Sequence, residues 1–157
     1  AGKDTLTGGA GKDDFAFTSS GATNFDTVTD MDFGTTAVAG VVDQLDVNTF
    51  VTAANMTGAY DTLRLESAGV GEADVFILDS QTYATLAEVD AAVNVLAALA
   101  TDSIVFWADS FNVVHFSWDA NTAAAGGADA PVDIALLEGI TITGLVAGFN
   151  LGDIIVG

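Results

Sequence analysis

A nine-residue pattern stands twice in register at the start of the chain, and it limits the possible folds more than any other feature. Gly2-Lys3-Asp4-Thr5-Leu6 is followed nine positions later by Gly11-Lys12-Asp13-Asp14-Phe15, with Gly8-Gly9-Ala10 leading into the second copy. Residues 8–16 read Gly-Gly-x-Gly-x-Asp-x-apolar-x. Glycine reaches backbone conformations with φ > 0 that other residues avoid, so such a segment can turn several carbonyl oxygens toward one point. The aspartate adds a carboxylate. The apolar residue two places on, Leu6 or Phe15, opens a short strand directed into a core. Each copy is one half-turn, and it buries its apolar residue only by stacking on a neighbour.

Oxygens gathered in this way suit a hard cation. Calcium takes about six to eight oxygen ligands at about 2.3–2.6 Å, more than the side chains of one repeat supply. Backbone carbonyls must therefore contribute. One isolated copy reads as a glycine-rich surface turn, whereas the repetition of Gly, Lys, Asp and the apolar site favours calcium. The candidate metal ligands are Gly2, Asp4, Gly9, Gly11 and Asp13, with Asp14, Asp30 and Asp43 as further carboxylates. A neighbouring turn must complete each ligand set, so folding is expected to depend on calcium. Arrays of this kind generally need about three or more repeats. The chain opens inside the first copy without an initiator Met. The expectation is a C-terminal part of a longer protein, with upstream turns completing the sites.

The charge is one-sided. Twenty-two acidic residues face three basic ones, Lys3, Lys12 and Arg64, for a net charge of −19. That self-repulsion destabilises a compact state, and divalent cations would relieve it. It disfavours nucleic acid and anionic lipid as partners, since both are bound through basic patches. Half of the residues are hydrophobic, so this is not a disordered acidic tail. The continuous apolar runs, such as Val75–Leu78 and Ile104–Ala108, are strand-sized, far below the roughly 20 residues of a membrane helix. Cysteine is absent, which leaves calcium as the available staple and suits a chain that crosses an envelope unfolded.

Along the chain, alternation of apolar and polar residues predicts short strands at Phe15–Phe17, Phe25–Phe33, Asp43–Val47 and Tyr60–Leu65. Residues 48–59 read as a loop, and residues 74–79 as a strand buried on both faces. Thr85-Leu86-Ala87-Glu88 is a capping box. Leu86, Val89, Val93, Leu96 and Ala100 then keep helical spacing, which predicts a helix at about 86–100. Residues 104–108 and 113–118 read as a hairpin turning at Asp109–Asn112, with Trp107 and Trp118 facing each other across it. Residues 121–130 form a small-residue loop, and residues 133–137 a further strand. Ile140–Ile142 and Leu145–Val146 lead to the end without a helix.

The order of these segments resembles the end of the RTX (hemolysin-type calcium-binding) proteins. Gly8–Phe17, a short loop, Phe25–Asp30 and Asp43–Val47 carry the likeness, over about residues 1–47. Residues 35–42 are an insert relative to the usual pattern. Asp153-Ile154-Ile155-Val156-Gly157 looks like an uncleaved C-terminal signal for type I (ABC-transporter) export. The resemblance implies a mainly β fold: the edge of a calcium-binding parallel β-roll (residues 1–47) continuing into a β-rich C-terminal domain with one α-helix (residues 48–157). It implies a secreted protein, extracellular or on the bacterial cell surface, with the type I transporter as partner during export.

Catalytic residues do not emerge. His115 is the only histidine and reads as a hydrogen-bonded strand residue, with no nucleophile motif beside it. The expected role is therefore a non-catalytic, calcium-stabilised module of a surface-layer, adhesin or filament subunit that assembles with itself. The alternative is the tail of a secreted metalloprotease or lipase whose catalytic domain lies upstream. An acidic β-rich carbohydrate-binding module is a third reading.

Overall fold

The computed structural model describes residues 2–34, 42–49, 51, 63–71, 73–96, 102–120 and 131–157. The first four strands alternate between two sheets. β1 (Thr5–Leu6) and β3 (Asp26–Val28) pair in parallel in one sheet, and β2 (Asp14–Ala16) and β4 (Gln44–Asp46) pair in parallel in the other. The chain therefore makes two stacked coils. The nine-residue spacing carries it from the first sheet to the second, and Thr5 then stands in register with Thr27, and Phe15 with Leu45.

Six further strands complete the sheets: β5 (Leu63–Leu65), β6 (Val75–Ile77), β7 (Ser103–Ala108), β8 (Val114–Asp119), β9 (Val132–Leu137) and β10 (Ile154–Ile155). The larger sheet has seven strands in the order β1-β3-β9-β8-β7-β6-β5, and the smaller has three in the order β10-β4-β2. Among the described residues, only β7–β8 and β8–β9 are antiparallel. β6 lies between two parallel neighbours and is buried along its whole length, as its unbroken apolar run requires.

The main core fills the space between the sheets. Phe106 stacks on Phe116 at 5.1 Å and meets Phe149 at 5.2 Å, while Phe17 reaches Phe116 from the coil side at 6.1 Å. A second cluster lies on the opposite face of the larger sheet, where helix α1 (Leu86–Leu96) sets Val89, Val93 and Leu96 against Phe76, Leu78, Val105 and Trp107. The cap of α1 differs in detail from the expected box. The Glu88 amide donates to Thr85 Oγ1 at 3.3 Å, but the Glu88 carboxylate accepts from the Ala84 amide at 2.7 Å, one residue earlier. Ala100 lies outside the described residues.

Two expectations need correction. A second helix, α2, runs from Ile142 to Gly148 and packs against β7. Its N-cap is Thr141, whose hydroxyl accepts from the Gly144 amide at 3.1 Å. Gly144, Gly148 and the β-branched residues give the segment low helix propensity. The buried Leu145 and Phe149 hold it by tertiary packing instead. The two tryptophans do not face each other either. Trp107 stands opposite His115, and Trp118 opposite Ile104, so the indoles point to opposite faces of the sheet, one into each core cluster. The expected loops at 52–59 and 121–130, and the start of the Tyr60–Leu65 strand, lie outside the described residues. So does most of the insert at 35–42.

Candidate metal centre

The repeat builds a tight turn between β1 and β2. Gly9 (φ +94°) and Gly11 (φ +130°) take the left-handed conformations anticipated for them, as does Gly2 (φ +122°) ahead of β1. Gly8 is needed for a different reason. A Cβ there would sit 2.6 Å from Asp13 Oδ2 and 2.8 Å from Asp13 Cβ. The Asp13 side chain therefore folds into space that only a glycine leaves open. Its Oδ2 is buried and has no hydrogen-bond partner. Around it lies a cleft of about 520 Å³ lined by Thr5 to Gly8 and Asp13 to Ala16.

The second coil locks this turn with carboxylates. Asp30 accepts the Gly8 amide on Oδ1 at 2.9 Å and the Gly9 amide on Oδ2 at 2.8 Å. Asp43, only 3 % exposed, accepts the Asp13 amide on Oδ1 and the Asp32 amide on Oδ2, both at 2.9 Å. Asp26 Oδ1 accepts the Asp4 amide at 2.9 Å. Charge-assisted bonds of this type are about twice as strong as neutral ones. They answer the question of where the amides of a glycine turn go.

The eight candidate ligands thus divide. Asp13, Gly9 and Gly11 share the β1–β2 turn. Asp4 and Gly2 precede β1 in the other sheet, and Asp4 is exposed. Asp14 is exposed too, with Lys12 Nζ 3.7 Å away. Strand alternation turns it away from the buried Phe15. Asp30 and Asp43 approach the turn, but as acceptors for its amides. Among the described residues, no three His, Asp or Glu side chains cluster closely enough to hold a metal. A cation at the turn would therefore rest on Asp13 and on backbone oxygens. Asp26 and Asp32 were missing from the sequence-based set. Asp26 stands level with Asp4 across β1–β3, a relation that becomes visible only once the coil length is known.

Elsewhere, His115 Nδ1 lies 3.2 Å from Asp133 Oδ1, and the ring stacks on Trp107 at 3.8 Å. Ser117 Oγ donates to the same Asp133 oxygen and accepts from Trp107 Nε1. Ser117 is thus engaged by Asp133 rather than by His115, which is not the geometry of an activated nucleophile. The residues read as an export signal are built into the fold. Asp153 is buried and caps a short 3-10 turn through Asn150, and Ile154–Ile155 form β10. Burial pushes the Asp153 carboxyl above its usual range, opposed by hydrogen bonds from Asn150.

No protein-family profile matches the chain, and neither the curated proteins nor the solved structures include a significant match.

Proposed function

We propose that the chain is a non-catalytic, calcium-stabilised module of a type I secreted bacterial surface protein, with the β1–β2 turn as its calcium site. One observation carries the reading: a buried carboxylate oxygen, Asp13 Oδ2, sits without a hydrogen-bond partner in a turn of left-handed glycines. A buried charged oxygen left unpaired is costly, and a cation offsets that cost. The Asp13 carboxylate and the carbonyls of Gly9 and Gly11 would hold the ion, and a further coil stacked on β1 and β2 would add ligands. Calcium would supply charge neutralisation and cross-linking of the turn. The net charge of −19 gives a general reason for divalent cations to favour the folded state. Where calcium is scarce the acidic chain stays open for export; outside the cell, calcium closes the coils.

The test is thermal unfolding with and without millimolar calcium, on the parent chain and on Asp13→Asn and Asp4→Asn. Calcium is expected to raise the midpoint. Asp13→Asn should remove most of that rise. Asp4→Asn should reduce it less, because Asp4 belongs to the preceding turn. No calcium response in a chain extended upstream by further repeats would defeat the proposal.

A further inference from the structure

The smaller sheet joins the glycine-rich turn to a distant strand. β4 is its central member, pairing in parallel with β2 on one side and β10 on the other. Phe15, Leu45 and Ile154 form one buried row across the three strands. On the neighbouring position, Gln44 spans the sheet with its side-chain amide. Gln44 Oε1 accepts from Lys12 Nζ at 2.5 Å, and Gln44 Nε2 donates to the Gly152 carbonyl at 2.6 Å. The backbone repeats the connection. The Gln44 amide donates to the Asp13 carbonyl at 2.8 Å, and the Val47 amide to the Ile155 carbonyl at 2.9 Å. Gly157 closes against the same segment, its amide on the Val51 carbonyl at 3.0 Å.

A strand with neighbours on both sides is held in place by each, so ordering one side favours the other. We infer that β10 is a lock on the glycine-rich turn: its docking on β4 and ion loading at the β1–β2 turn reinforce one another through the shared strand. The ion-loading half rests on the calcium reading above; the mechanical half does not. Linkage makes the coupling reciprocal. If docked β10 raises calcium affinity by some factor, calcium must favour docking of β10 by the same factor. For couplings of ordinary size that factor is about 5-fold or more. The segment that looks like an export signal would then be withdrawn into the fold by the ion that completes folding.

Amide hydrogen exchange on the full chain tests the mechanical half without calcium. Ile154→Val trims one methyl group from the buried row, and a chain ending at Gly152 removes β10 altogether. In both, the Gln44 and Phe17 amides, which bond across β2–β4, should exchange at least about 5-fold faster. Amides of β7 and β8 should keep the parent rates in Ile154→Val, which separates a local lock from global destabilisation. Unchanged Gln44 and Phe17 rates, or acceleration spread evenly over β7 and β8, would overturn the inference. Calcium titration then tests the linked half. The parent should bind more tightly than the chain ending at Gly152, and calcium should slow exchange at Gly157 of the parent by the same factor. Calcium binding with no change at Gly157 would overturn the coupling. Absence of calcium binding in the parent would strike the calcium reading alone, and the exchange result would still decide whether β10 locks the turn.

Discussion

Replacing Gly8 by alanine puts the architecture of the turn to a quantitative test. Gly8 does not have a positive φ, so alanine meets no backbone strain. On chain-entropy grounds alone it would stabilise the fold by about 0.4–1 kcal/mol. The structure points the other way. The new Cβ would lie 2.6 Å from Asp13 Oδ2, 2.7 Å from its Cγ and 2.8 Å from its Cβ. Rotating the Asp13 side chain relieves the first two contacts but not the third, because Cβ is fixed by the backbone just ahead of β2. Overpacking of this kind costs about 1–3 kcal/mol, which outweighs the entropic gain and leaves a net loss of about 1 kcal/mol. For a chain of this size that lowers the midpoint by about 2–4 °C. Urea unfolding followed by circular dichroism gives the free energy directly. Asp13→Gly in the Gly8→Ala background removes the obstructing atoms, so the double variant should recover the loss attributable to contact. A Gly8→Ala chain as stable as the parent, or more so, would refute the placement of Asp13 in the turn.

Asp43→Ala should be more damaging than Asp4→Ala or Asp14→Ala, since it strands the Asp13 and Asp32 amides. A loss of about 2–4 kcal/mol is expected in urea unfolding, with Asp43→Asn in between because it keeps one acceptor. Asp102→Asn should act in the opposite sense. Burial raises the Asp102 carboxyl above its ordinary range, so the folded state disfavours its ionised form, and that disadvantage sets in as pH rises above the ordinary carboxylate range. The asparagine variant should therefore be more stable than the parent at pH 7, and the advantage should vanish at pH 3, as read from midpoints at the two values. Thr141→Ala removes the cap of α2 and should cost about 1 kcal/mol, measurable in the same unfolding assay.

The repeat was legible because its signals are local. Glycines with positive φ, an aspartate and an apolar residue two places later fix a turn and the strand after it, and the structure has all of these at Gly9, Gly11, Asp13 and Phe15. The hairpin and α1 were legible for the same reason: period and cap lie within one stretch of chain. Which strands stand together was not legible. β9 pairs with β3, and β10 with β4, through register that no short window contains. The same gap explains the roles of Asp30 and Asp43. Their residue type and spacing suggest metal ligands, yet the amides they accept belong to residues 21 to 30 positions away, apart from the nearer Asp32. Helix α2 was missed because packing of Leu145 and Phe149 overrides poor intrinsic propensity.

The smaller sheet also sets an order of assembly. β2 and β4 lie near one another in the chain, but their third partner, Ile154–Ile155, follows all the other strands of the described residues. Until that strand arrives, Leu45 faces a missing neighbour and β4 keeps an open edge. Contacts so distant along the chain form slowly. A refolding chain therefore passes through a state with one sheet unfinished, and the arrival of Ile154–Ile155 decides when that edge closes.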